Sequence, residues 1–156
     1  MGTTFISDAN TRATRTTRTV VRYLPAAGRV VLGALFLFAG LFGLLAAPQP
    51  ATGLPEAAAA FSDALTKTGY MLQLISATEA VVGAMLLANR FVPLALAVLA
   101  PVVVNIVAFH VFLAPAGLGI ALVVAALEIS LAWRNRDAYR SMLAVRAPLP
   151  RRAGRA

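Results

Sequence analysis

The chain has 156 residues, 60% of them hydrophobic and 13% charged, with a mean hydropathy of +0.79. Its own polar side chains are too few to cover that much apolar surface in water, so the solvent for most of it is lipid. It has no cysteine and one histidine, which excludes disulfides, thiol relays, cysteine-ligated metal sites and a bis-histidine haem within one chain.

The amino-terminal segment, residues 1–25, is rich in threonine and arginine and poor in apolar side chains, and it reads as a disordered basic tail. A domain of four transmembrane helices follows over 26–140, with spans at 30–47, 69–88, 91–113 and 117–133. Each span has roughly 17–23 residues, enough to cross a hydrocarbon core of about 30 Å at 1.5 Å per residue. Lipid offers the backbone no hydrogen bonds, so the spans are expected to be helices. The first run exceeds a signal-peptide core and reads as an uncleaved span.

Between the first two spans, "EAAAAFSDALTK" predicts a short helix on the outer surface, with Phe61 and Leu65 toward the bilayer. The "NR" and "APA" connections after the second and third spans are too short for anything but antiparallel neighbours. The expected fold is therefore all-α, an up-down four-helix bundle. Residues 141–156 form a second basic tail, with Trp133 and Tyr139 at the interface before it.

Charge sets the orientation. Arg12, Arg15, Arg18, Arg22 and Arg29 precede the first span, Arg90 joins the second and third, and Arg134, Arg136, Arg140, Arg146, Arg151, Arg152 and Arg155 follow the fourth. All lie on one side of a four-span chain, opposite Lys67, which puts both termini in the cytoplasm. Topology thus accounts for the net charge of +8 without a nucleic-acid partner.

A few polar residues interrupt the spans, and ionisable groups at such depth are expected to point into the bundle. Helical rise from the cytoplasmic ends places Glu128, Glu79, Asn105 and His110 at depths of roughly 8, 14, 21 and 28 Å. Glu128 is expected to pair with Arg29 near the inner surface, and Glu79 to hydrogen-bond Asn105 across helices. His110 marks the outer mouth, level with Tyr70 and close to Gln73. Glu79, Asn105, His110, Tyr70, Gln73 and Phe109 together outline a candidate pocket for a lipid-soluble molecule under the outer loop. No residue pattern here suggests a metal site or an autonomous catalytic centre.

From Arg29 to Tyr139, the order of "RVVLGALFLFAGLFGL", "KTGYMLQLISATEAVVGAMLLANRFVPLALAVLAPVVVNIVAFHVFL" and "ALEISLAWRNRDAY" resembles the DoxX-like family of small four-span bacterial membrane proteins. Gly43 departs from the family pattern, standing where many relatives carry a lysine or another polar residue. The resemblance implies a multi-pass protein of the bacterial inner membrane, an accessory component of quinone-linked redox chemistry working beside a redox enzyme or other membrane subunit. Quinone is the cofactor it suggests. Two alternatives stand beside it. One is an assembly protein, also able to self-associate, that binds partner helices through small-residue faces at 33–40 and around Gly83. The other is a proton or solute conduit along the Glu128, Glu79, Asn105, His110 ladder.

Overall fold

The structure, a computed structural model, describes the backbone of residues 4–46 and 53–142, and side chains over 24–46 and 53–140. Among the described residues there are six α-helices: α1 (Thr4–Leu45), α2 (Glu56–Lys67), α3 (Met71–Leu87), α4 (Val92–Phe112), α5 (Leu118–Arg134) and α6 (Arg136–Met142). A single 3-10 turn, Pro115–Gly117, leads into α5, and no strand occurs among the described residues. Segments 24–45, 92–112 and 115–134 are long and apolar enough to cross a membrane. A fourth span is counted if α2 and α3, which meet at 91°, are taken together.

α1 runs through the segment expected to be a disordered tail and starts at Thr4. Once the apolar half of a helix is nucleated and packed, each further residue adds a hydrogen bond at little cost, and threonine and arginine do not stop it. Of the tail expected at 141–156, the first two residues end α6, and 143–156 lie outside the described residues, as does the loop at 47–52.

α1 packs most extensively on α3, α3 on α4, α4 on α5, and α5 back on α1. At the centre lie Leu32 and Phe36 of α1, Val82 and Leu86 of α3, Ala95, Leu96, Leu99 and Val103 of α4, and Val124 and Leu131 of α5. The outward faces are as apolar as the core: Phe38, Val104, Phe112, Ile120 and Ile129 are all exposed. That distribution would be unstable in water and suits helices solvated by lipid.

The α1–α3 contact is built on glycine. A Cβ on Gly83 would overlap the backbone of Leu37, and one on Gly40 would overlap the backbones of Ser76 and Ala80. The small-residue faces expected to receive a partner's helices are instead consumed within the chain. Close approach of two helical backbones is what such faces permit, and α3 lies near enough to α1 to use it first.

Two hydrogen bonds fix which helix ends lie together. Arg29 Nη1 donates to the Leu86 carbonyl in the last turn of α3, and Tyr139 Oη donates to the Pro93 carbonyl at the start of α4 (2.9 Å). The arginine-bearing base of α1's apolar half, the end of α3, the start of α4 and α6 therefore share one end of the molecule. At the other end α2 turns into α3 through Gly69, whose φ of +76° is open to glycine without strain. Thr68 steadies that corner, its Oγ1 accepting from Met71 N (3.0 Å) and donating to the Leu65 carbonyl (2.6 Å). α3 is consequently shorter than the span expected at 69–88, because Gly69 and Tyr70 belong to the bend. Phe61 of α2 does not face outward to the bilayer; its ring lies 5.7 Å from that of Phe109 on α4.

Candidate functional site

α4 and α5 do not close on each other along their whole length. Leu96, Val103, Val104 and Val107 on α4 face Ala125, Ile129 and Ala132 on α5 across a cavity of about 410 Å³. Alanines at 97, 100, 125 and 132 are among its lining, and their short side chains leave more room than larger residues would. A void of that size falls within the range of small-molecule sites.

Glu128 enters this apolar cavity. It belongs to the stripe Ala121, Val124, Glu128 and Leu131, the buried residues of α5, spaced at three and four. Only 6% of the residue is exposed, and its Oε1 has no hydrogen-bond partner among the described residues. A buried carboxyl oxygen without a partner is costly, so the position favours any ligand that can complete its hydrogen bonding. Tyr139 closes the α6 end of the cavity, its hydroxyl committed to Pro93. Burial, and secondarily the negative charge of Glu128, push the Tyr139 phenol above its ordinary pKa and keep it protonated.

A second cleft of about 480 Å³ lies between α1 and α5, bounded by Gly28, Val31, Leu127, Ser130 and Arg134. Its polar groups offer less. Ser130 already donates to the Leu127 carbonyl (2.8 Å), and Arg134 is exposed.

The residues singled out in the sequence are dispersed. Arg29 does not pair with Glu128, because its guanidinium is committed to the Leu86 carbonyl at the end of α3, whose partial negative charge attracts it. Glu79 is half-buried and makes no hydrogen bond among the described residues, to Asn105 or otherwise. Asn105 lies about 120° around α4 from the buried Leu99, on the exposed face, so it cannot turn toward α3's inner side.

Tyr70, 60% exposed, and Gln73 lie on the outside at the start of α3. His110 does point inward, but its Nδ1 donates to the Ala114 carbonyl (2.9 Å), and its ring fills the space a Cβ would take at Gly117. It terminates α4. Phe109 packs between Phe61 and His110, with ring centroids 5.7 and 5.3 Å away. Phe61, Phe109 and His110 thus pack together at this corner, and Asn105 stands on the exposed face of α4.

Of the expected residues, Glu128 lines the α4–α5 cavity. The sequence does hold the signal that was missed: alanines at 97 and 100, one turn apart, and at 125 and 132, two turns apart, fall on consecutive helices. No family model, curated protein or solved structure matches the chain.

Proposed function

We propose that this is an accessory protein of membrane redox chemistry that holds a quinone-class molecule between α4 and α5, with Glu128 as its polar contact. The observation that carries the reading is the buried, unpartnered Glu128 oxygen in an otherwise apolar cavity. Such a site selects a flat, lipid-soluble molecule with one hydrogen-bonding group at its edge. A carboxyl suits both redox forms. Carrying its proton it donates to a quinone carbonyl, and without it it accepts from a quinol hydroxyl. Electrons come from a partner subunit in this reading.

The fold proposed with it is an up-down four-helix bundle in the bacterial inner membrane with both termini cytoplasmic. The resemblance to the DoxX-like family over 29–139 supports it. So does the gathering of Arg29, Arg90 and Arg136 at the molecular end opposite Lys67, as the positive-inside rule requires of a cytoplasmic end. The assembly alternative is less well supported, because the glycines it relied on are packed against the chain's own helices.

The test is a titration of the protein in lipid nanodiscs with a short-chain benzoquinone. Glu128→Gln keeps a donor and is expected to bind within about threefold of the wild type. Glu128→Leu, which removes it, should weaken binding on the order of tenfold, the worth of one desolvated hydrogen bond. Equal binding by all three proteins, or none by the wild type, would contradict the proposal.

A further inference from the structure

Asn105 is a polar side chain on the wrong face. It is the fourteenth of the twenty-one residues of α4, roughly 20 Å from one end and 10 Å from the other, well within hydrocarbon depth for a spanning helix. It is exposed, and no hydrogen bond reaches its side chain among the described residues. Its neighbours on that face are Leu94, Val98, Pro101 and Phe112, all exposed and all apolar. Lipid tails can neither donate nor accept, so an amide left there forfeits every hydrogen bond it would make in water. Glu79, the nearest span residue in depth with matching chemistry, lies on the inward side of α3 and does not reach it.

We infer that the α4 face centred on Asn105 is the interface of a homodimer, the partner being a second copy of this chain. A carboxamide is both donor and acceptor, so it is complementary to itself. A two-fold axis beside Asn105 sets each amide N–H against the other copy's carbonyl oxygen. Two reciprocal hydrogen bonds form, and no third group is needed. This is the isologous arrangement that a symmetric dimer requires. The apolar residues around Asn105 seal the pair from competing polar groups. On the α3 side, Leu94 and Val98 also line a shallow groove of about 350 Å³ with Val81 and Met85, giving the second copy's side chains room to seat. The cavity holding Glu128 opens elsewhere on α4, so the inference stands whether or not quinone binds there.

The experiment measures subunit stoichiometry in lipid nanodiscs or native membranes by single-molecule photobleaching, for the wild type, Asn105→Gln and Asn105→Leu. The absence of cysteine makes Ala108→Cys, one turn from Asn105, a unique thiol for oxidative cross-linking, with Ile120→Cys on the exposed face of α5 as the control. The wild type and Asn105→Gln should be dimers, and Asn105→Leu should dimerise on the order of tenfold more weakly, the scale of interhelical polar contacts in lipid. Ala108→Cys should cross-link between copies while Ile120→Cys does not. A monomeric wild type, an Asn105→Leu dimer as tight as the wild type's, or cross-linking through Ile120→Cys instead would overturn the inference. A monomer includes the case in which a different protein's helix occupies this face.

Discussion

Tyr139 joins the short helix α6 to the start of α4 through one hydrogen bond, and the proton it donates is itself titratable. Its folded pKa lies above the ordinary value of about 10, because burial and the Glu128 charge both oppose the phenolate. In the interval between the two values the unfolded chain releases the proton first, so stability falls as pH rises there. The contribution is fully present below about pH 10 and is lost as pH climbs through the folded pKa. Tyr139→Phe is expected to lower stability at pH 8 by about 0.5–1.5 kcal/mol, the net worth of a hydrogen bond. The gap to the wild type should narrow above pH 10, which thermal melts in detergent at several pH values would show; a gap independent of pH would contradict this. Glu128 was legible as an inward residue, since it shares the three-and-four spacing of its apolar neighbours. Its partner was not. Depth alone paired it with Arg29, whereas the end of α3 offers that guanidinium a carbonyl at the same level.

Among the elements, the α1–α3 pair depends most on single atoms. Gly83→Ala and Gly40→Ala each add one methyl against backbone that cannot rotate away. Each should destabilise the fold by about 1–3 kcal/mol, as overpacking does. Gly119→Ala, where a Cβ meets nothing within 4 Å, is the matched control and should be neutral or slightly stabilising. Denaturation in mixed micelles orders the three, and a Gly83→Ala protein as stable as Gly119→Ala would show that the helices are not held at backbone contact. The positions of the apolar helices followed directly from hydropathy and rise. The bend before α3 did not, because a hydropathy window averages across Gly69 and Tyr70 and cannot register a change of direction. Asn105 failed for a related reason. Its depth matched that of Glu79, but its angle around α4 carries it to the opposite side of that helix.

At the scale of the whole molecule, one end gathers Arg29, Arg90, Arg136 and two interhelical hydrogen bonds, and the other is closed by α2, the Phe61–Phe109 contact and His110. The cavity between α4 and α5 arises only when these helices are assembled, from four alanines that no single span marks as unusual. That is why a sequence reading placed the candidate pocket under the outer loop, where polar residues are visible, and missed the space beside Glu128. Photoaffinity labelling tests the central claim most directly. The protein in nanodiscs is exposed to an azido-benzoquinone, irradiated, digested and mapped by mass spectrometry. Label is predicted on the segments 96–107 and 125–132, reduced on the order of tenfold by Glu128→Leu and largely retained by Glu128→Gln. Label concentrated near Tyr70, Gln73 and His110, or label on α4 and α5 that is indifferent to Glu128→Leu, would contradict it.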